Sequence, residues 1–215
     1  MSSSALVSIL NLFVLEVSPL EYLKEDVLME CAICHKQELS KTRCVNDHYV
    51  CSECHTSGMD AIIAYCLHTD SKNPVEILEA MMSMPFCHMH GPEHHVMVGA
   101  ALLAAYKNAG GNIELTKALL EMYSRGKSVP GGACGFWGAC GAGLSAGMYM
   151  AIVTESTPLA VQAWGLSNRM TSRALGAIGD VGGPRCCKRD SYLAIEEAIK
   201  LTAKDLSFSK TPHHF

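Results

Sequence analysis

The chain has 215 residues and a mass of 23.2 kDa, which is enough for one domain with a buried core and excludes general disorder. Charged residues make up 18% of the sequence and hydrophobic residues 49%, so the polar surface is thin, and a partner or a second copy of the chain could cover part of it. The formal net charge of -4 gives no support for a nucleic-acid partner, because nucleic-acid binding usually needs a basic face.

Eleven cysteines are the most unusual feature of the composition. An extracellular disulfide scaffold is usually short, rich in loops and even in its cysteine count, whereas this chain is long, has an odd count and carries mostly helical patterns. The cysteines therefore predict a reducing, cytoplasmic setting.

Residues 1–30 form a predicted N-terminal lead that contains an apolar run from Ala5 to Val14. No Lys or Arg precedes this run, the first being Lys24, and no small-residue cleavage site follows it, which argues against a signal peptide. The run is also shorter than the roughly 20 residues that cross a bilayer. We expect an amphipathic lead helix and no membrane association.

Residues 31–57 form a predicted zinc module. Two pairs, Cys31 with Cys34 and Cys51 with Cys54, are each separated by two residues, and sixteen residues lie between the pairs. This spacing lets two tight turns face one tetrahedral ion, so the four thiolates predict a structural zinc site. Such a closed site has no open coordination position and indicates folding or docking, not catalysis.

Two further residues lie between the pairs, Cys44 and His48. With them the module resembles either a zinc ribbon or the first six ligands of a RING finger, whose last pair is missing here. A second metal at Cys44 and His48 would therefore need further ligands from later in the chain, such as Cys87 and His90.

Residues 58–215 are predicted to be an all-α body. Helix signals come from caps, apolar periodicity and terminating glycines. The expected helices run from Pro74 to before Pro85, from Pro92 to Asn108, from a cap at Asn112 to Gly126, from Leu144 to Thr154, from Thr157 to near Gly179 with Leu159 on its apolar stripe, and from near Asp190 to Leu206. Strand patterns are expected only in the zinc module, at Tyr49 and Val50.

A dense group of polar side chains precedes the second of these helices. Four histidines, a thiol and a carboxylate lie between Pro85 and His95. Glu93, His94 and His95 fall in the predicted first turn, and Cys87 and His90 lie on the approach loop. Histidine titrates near neutral pH and binds metal as the neutral imidazole, so this segment predicts a metal site or an acid–base centre. The alternative is a capped helix start with solvated histidines.

Two thiols, Cys134 and Cys140, lie in a glycine-rich tract in which the sequence Gly-Ala-Cys-Gly occurs twice. Flanking glycines let a cofactor, a substrate or another backbone approach each sulfur closely. The alternative is that the glycines serve helix packing and the cysteines are incidental.

Cys186 and Cys187 are adjacent and lie among Arg185, Lys188 and Arg189, just before a predicted helix. Neighbouring cations and a helix N-terminus both favour the thiolate, so these thiols are candidate nucleophiles or ligands of a soft metal. Arg185 and Arg189 are the expected binding groups for an anionic substrate. Together with the two thiols of the glycine tract, this pair could also hold an iron–sulfur cluster.

Four segments together resemble a known family. They are Asp47 to His55, His90 to His95, Gly131 to Gly147 and Gly182 to Arg189. In this order they resemble a family of functionally uncharacterised cysteine-rich domains of methanogenic archaea and anaerobic bacteria, which are sometimes joined to radical-SAM enzymes. The similarity covers about Cys31 to Leu206 and implies an anaerobic cytoplasm, but no activity. The chain has no Cys-x3-Cys-x2-Cys motif, so a radical-SAM enzyme would be a separate partner.

Two functions are compatible with these patterns. The first is a metal- and thiolate-dependent enzyme of anaerobic metabolism that transfers sulfur or a one-carbon group. In it Cys134, Cys140 and Cys186 or Cys187 would be ligands or nucleophiles, and His94 or His95 with Glu93 would move protons. The second is a zinc-stabilised binding module that docks onto a partner enzyme and catalyses nothing.

Overall fold

A computed structural model of the chain describes residues 20–31, 35–45, 47, 49–51 and 59–205. It divides the chain into two compact units, Met1–Ser57 and Gly58–Phe215. The described residues of the second unit are helical, as predicted for the body. Their helices are α1 (Met59–His68), α2 (Pro74–Met82), α3 (His94–Asn108), α4 (Leu115–Lys127), α5 (Ala133–Phe136), α6 (Gly141–Val153), α7 (Gln162–Val181) and α8 (Cys187–Asp205).

The first unit contains an antiparallel hairpin of β1 (Leu20–Glu30) and β2 (Gln37–Cys44). The predicted lead helix over residues 1–30 is therefore wrong for Leu20–Glu30, while residues 1–19 lie outside the described residues. A helix here would place the like charges of Asp26 and Glu30 four residues apart on one face, which is unfavourable. In the hairpin the segment instead pairs with β2, where Glu21 lies opposite Arg43 and forms an ion pair at 3.2 Å.

Helix α3 lies at the centre of the second unit and packs against α1, α2, α4, α6 and α8. Nearly its whole length is buried, and its alanines and Gly99 let the neighbouring helices approach closely. A Cβ on Gly99 would overlap the Met122 side chain of α4. This central position fixes the N-terminus of α3, where the candidate site lies. None of the helices among the described residues is both long and apolar enough to cross a membrane.

The helix α2 starts as the sequence predicts. Pro74 is its first residue, and the side chain of Asn73 accepts a hydrogen bond from the Val75 N–H at 3.0 Å. The predicted cap of α4 is wrong, because Glu114 and not Asn112 accepts the free N–H groups of Thr116 and Lys117. Glu114 lies directly before the helix, and its carboxylate reaches both N–H groups, whereas Asn112 has a shorter side chain and lies two residues further from the helix.

Four other helix starts differ from the prediction. Helix α6 begins at Gly141, three residues before the predicted Leu144. Helix α3 begins at His94, two residues later than expected, because Pro92 and Glu93 form the preceding turn. Helix α7 begins at Gln162, so Leu159 is not on its buried stripe and is 93% exposed. Helix α8 begins at Cys187, earlier than predicted, since the Cys186 carbonyl already accepts the N–H of Asp190.

Candidate metal centre

The turn that leads into α3 places Cys87, Glu93 and His94 together. Glu93 occupies the N-cap position of α3, and its side chain turns back so that Oε1 accepts the His88 N–H at 2.7 Å. The three candidate ligand atoms, one from each residue, all lie within 4.8 Å of one another. In the described part of the chain, this is the only group of three such side chains that close together.

These three side chains are buried, and one carboxylate oxygen has no hydrogen-bond partner. Glu93 is 0% exposed and His94 is 1% exposed, while Oε2 of Glu93 is buried without a partner. Buried polar atoms are nearly always satisfied, and an ionised carboxylate is especially costly to leave unpaired. A cation held between the oxygen, the Cys87 sulfur and the His94 nitrogen would satisfy it.

The protonation states of Glu93 and His94 suit metal binding. Burial alone would raise the pKa of Glu93, but hydrogen bonds from the His88 side chain and from the backbone help to outweigh it, so the pKa is lowered. Burial lowers the pKa of His94, against the opposing charge of Glu93. A carboxylate and a neutral imidazole are the forms in which these residues bind a metal.

Gly91 is needed for this arrangement because of its position beside Glu93. A Cβ on Gly91 would overlap the carboxylate of Glu93, so any larger residue would push that side chain out of place. Glycine at this position therefore makes room for the candidate ligand.

Helix α8 brings Cys187 and Ser191 to the same turn. The Oγ of Ser191 lies 3.1 Å from Nδ1 of His94, and the N–H of Gly91 approaches the Cys187 thiol. Burial raises the pKa of Cys187 to about 12 and outweighs the opposing effect of Arg185. Burial thus opposes the thiolate that the neighbouring cations of Cys187 led us to expect.

Cys140 caps α6 and contacts α8 through Asp190. Its Sγ donates to Oδ2 of Asp190 at 3.7 Å, and burial, with Asp190, raises the pKa of Cys140 to about 11 despite the nearby N–H groups of Ala142 and Gly143. The charges of Cys140 and Cys134 both raise the pKa of Cys187, and that of Cys134 also raises the pKa of Cys140, in each case by less than burial does. The structure thus brings three of the four predicted catalytic thiols within electrostatic range, since Cys134 acts on Cys140 and both act on Cys187. Cys186, the fourth, is half-buried at the start of α8.

The two predicted anion-binding arginines have different surroundings. Arg189 binds Asp190 through Nε at 2.9 Å and the carbonyl of Gly182 through Nη2 at 2.9 Å, so its contacts hold the preceding turn against α8. The positive charge of Arg185 instead lowers the pKa of His90, after the larger effect of burial, and it acts on Cys187 too. Arg185 is therefore the better candidate for binding an anion at this site.

His95 and His90 flank the candidate ligands. The ring of His95 lies against Gly141, where a Cβ would overlap it, and burial lowers its pKa to about 4. The Nδ1 atoms of His90 and His95 are buried and have no hydrogen-bond partner. Two neutral imidazoles with unused lone pairs thus lie beside the candidate centre.

Only the later glycines of the glycine tract are needed for helix packing. The later glycines meet neighbouring helices: a Cβ on Gly143 would overlap Leu175, and one on Gly147 would overlap Thr171. The earlier ones, Gly131 and Gly135, have open space around them. Helix packing therefore explains the second half of the tract but not the first half, which carries Cys134.

In the first unit, the structure places the first cysteine of each predicted zinc pair together. Cys31 and Cys51 are both 0% exposed, and the Cys51 N–H donates to Sγ of Cys31 at 3.3 Å. Cys34, Cys54 and His48, as well as the side chain of Cys44, lie outside the described residues.

Sequence reasoning missed Asp190 and Ser191 as members of the site. Ser191 is 97 residues away from His94, and nothing in the local pattern marks it as a partner. The one available signal is its spacing of four residues from Cys187, which puts the two side chains on one face of a helix.

The fold and the site define a helical, cysteine-rich protein with a buried group of metal-binding side chains. The chain belongs to a family of unknown function, DUF5714, whose model matches residues 62–214. Searches of the curated proteins and of the solved structures found no match. The family match covers the helical unit and with it every residue of the candidate metal centre.

Proposed function

We propose that the protein is a metal-dependent enzyme that acts on a small anionic substrate, with Cys87, Glu93 and His94 as ligands of one transition-metal ion. Two observations carry this proposal: one ligand atom from each of the three residues lies within 4.8 Å of the others, and Oε2 of Glu93 is buried without a hydrogen-bond partner. A cation would explain an unpartnered oxygen on a buried carboxylate that lies beside a thiol and an imidazole.

The donor set favours zinc or a neighbouring first-row metal. Thiolate, imidazole and carboxylate are all zinc ligands, and the softer thiolate selects against magnesium and calcium. Three protein ligands leave a coordination position for water or substrate, which distinguishes a catalytic site from a closed structural one. There the ion would act as a Lewis acid.

The residues around the ligands suggest the substrate class and the reaction class. The positive charge of Lys188 acts on His94, and that of Arg185 acts on Cys187. An anionic group on the substrate would therefore be attracted to the site. His90 and His95 would accept protons through their unpartnered Nδ1 atoms. The thiols of Cys140 and Cys187 beside the centre favour transfer of a sulfur or one-carbon group.

A second candidate is an iron–sulfur cluster held by Cys134, Cys140 and Cys187, with Cys186 as a further ligand. It is favoured by the electrostatic effects of Cys134 and Cys140 on Cys187, and of Cys134 on Cys140. Such a cluster would agree with the anaerobic cytoplasm proposed from the sequence resemblance. Protein purified without oxygen would then be brown and contain iron.

For the first unit we propose a structural zinc held by Cys31, Cys34, Cys51 and Cys54. Its support is the contact between Cys51 and Cys31. If the chain catalyses nothing, this zinc would stabilise a module that docks onto a partner such as a radical-SAM enzyme. Metal bound by Cys87 separates the two functions, since a docking module does not need it.

Elemental analysis of protein purified without oxygen tests the proposal. The wild-type protein and Cys87→Ser are compared, with Cys66→Ser as the matched control, because Cys66 is another fully buried thiol of the helical unit and lies outside the candidate ligand group. We expect Cys87→Ser to lose one metal equivalent that Cys66→Ser keeps. Equal metal content in all three proteins would overturn the proposal.

A further inference from the structure

The imidazole of His94 joins the metal-binding turn to the last helix. Its Nδ1 lies 3.1 Å from Oγ of Ser191, and that oxygen lies 2.8 Å from the carbonyl oxygen of Cys187. On the other side of the ring, Nε2 lies 3.0 Å from the His88 carbonyl oxygen and 3.9 Å from Sγ of Cys87. His94 and Ser191 are both buried, so these contacts decide where the ring carries its proton.

Three of these contacts need more protons than the two side chains carry. Each contact needs one hydrogen between its atoms: Nε2 with the His88 carbonyl, Nδ1 with the Ser191 oxygen, and that oxygen with the Cys187 carbonyl. A neutral imidazole has one N–H and a serine has one O–H, so two protons serve three contacts. One contact is always without a proton.

Two arrangements of these protons keep a hydrogen bond between His94 and Ser191. In the first, Nε2–H donates to the His88 carbonyl and Nδ1 accepts from Ser191. In the second, Nδ1–H donates to Ser191, Ser191 donates to the Cys187 carbonyl, and the lone pair of Nε2 faces the Cys87 sulfur and the His88 oxygen. The second arrangement places three electron-rich atoms together and is favourable with a cation between them.

We propose that Ser191 is a positioning residue whose hydroxyl lets His94 change tautomer when the metal ion binds. This inference rests on the metal centre proposed above. In the metal-free protein the hydroxyl donates to Nδ1; when Nε2 binds the ion, the hydroxyl rotates, accepts Nδ1–H and donates to the Cys187 carbonyl. The ring and the hydroxyl hold two protons in both states, so the pair releases none.

Removal of the hydroxyl has different effects on the two states. With alanine at position 191, the metal-free ring keeps its Nε2–H bond to the His88 carbonyl. The metal-bound ring would bury an Nδ1–H without an acceptor. Loss of such a second hydrogen bond to a metal-binding histidine typically lowers metal affinity about 10–100-fold. Threonine keeps the hydroxyl and should largely restore the affinity.

The experiment uses the full chain, freed of metal with a chelator and titrated with zinc. It compares wild type, Ser191→Ala and Ser191→Thr, with Ser145→Ala as control. Ser145 is also a fully buried serine, and its Oγ accepts the Gly99 N–H at 2.9 Å, away from the ligands. Long-range proton–nitrogen NMR spectra report the tautomer of His94, and chelator competition reports the affinity of the ion that Cys87 binds.

We expect His94 to change from the Nε2–H to the Nδ1–H tautomer as zinc binds to the wild-type protein. Zinc affinity should fall about 10–100-fold in Ser191→Ala, recover in Ser191→Thr and stay unchanged in Ser145→Ala. Wild-type affinity in Ser191→Ala, or a His94 tautomer that zinc does not change, would overturn the role of Ser191 and leave the metal centre standing. A wild-type protein with no Cys87-dependent zinc would overturn the proposed function itself.

Discussion

The thiol of Cys140 donates to the carboxylate of Asp190 over 3.7 Å, and this contact joins the first residue before α6 to the first turn of α8. Arg189 holds the other oxygen of the same carboxylate at 2.9 Å. Asp190 is almost fully buried. Through Cys140 it contacts the glycine tract, and through Arg189, which binds the Gly182 carbonyl, it is joined to the turn before the paired cysteines. This one carboxylate therefore positions the Cys140 thiol of the candidate site.

Replacing Asp190 with asparagine should therefore destabilise the helical unit. The variant keeps the shape of the side chain but leaves Arg189 without its counter-ion. Breaking a fully buried ion pair costs about 3–5 kcal/mol, and we expect about 2 kcal/mol here because Arg189 is partly exposed. The free energy of unfolding in urea measures the effect. Asp180→Asn, at an exposed position of α7, should leave it unchanged, and equal stability of the two variants would contradict the assigned role.

A methyl group at position 91 should abolish metal binding by Cys87, Glu93 and His94 with little effect on the fold. In Gly91→Ala the added Cβ overlaps the Glu93 carboxylate and moves it away from Cys87 and His94. Metal content after dialysis is the measurement. Gly131→Ala is the matched control, since open space surrounds that position. If Gly91→Ala kept its full metal content, Glu93 would not be a ligand.

Alkaline pH should weaken the fold through the Cys66 thiol, which lies among core residues of the helical unit. Burial raises the pKa of Cys66 from 9.0 to about 12, so the folded state keeps a proton that the unfolded state releases. Stability from this group is complete below about pH 9 and is lost as the pH rises toward about 12. Between these values the free energy of unfolding of the wild type should fall about 1.4 kcal/mol per pH unit more steeply than that of Cys66→Ala. Parallel pH profiles would contradict the burial of this thiol.

The N-terminus of α4 should depend on Glu114 and not on Asn112. Hydrogen bonds from the backbone, that of Lys117 first, lower the pKa of Glu114, and its carboxylate caps the helix. Because this pKa is lowered in the folded state, the stabilisation is present at neutral pH and is lost as the pH falls through it. Glu114→Ala should lower the Tm at neutral pH and have less effect on it in acid. Asn112→Ala should not change the Tm at either pH. A larger loss of Tm in Asn112→Ala than in Glu114→Ala would instead support Asn112 as the cap, as the sequence predicts.

Local rules predict the helical body well, because its signals are carried by neighbouring residues. The proline and the asparagine that begin α2 do so in the structure, since a cap needs only the next few N–H groups. The same rules do not distinguish Glu114 from Asn112, where two capping residues compete. They also miss β1, because a strand is stabilised by pairing with residues that lie elsewhere in the chain.

The candidate site is predicted in part for the same reason. The sequence marks His94 and Glu93 by their density around a helix start, and Cys140 and Cys187 by their glycines and charges. It does not indicate that Asp190 and Ser191 hold these groups, because both contacts depend on how α8 packs against α3 and α6. Nor does it give the burial that raises the pKa of Cys187.

An anomalous difference map is the most direct test of the metal centre. Crystals of the protein purified without oxygen would be measured at the absorption edge of the metal that elemental analysis identifies. We predict a peak within bonding distance of Cys87 Sγ, a Glu93 carboxylate oxygen and His94 Nε2, and no such peak in crystals of Cys87→Ser. A map of the wild-type protein with metal in the N-terminal cysteine module alone would contradict a metal-dependent function for the helical unit.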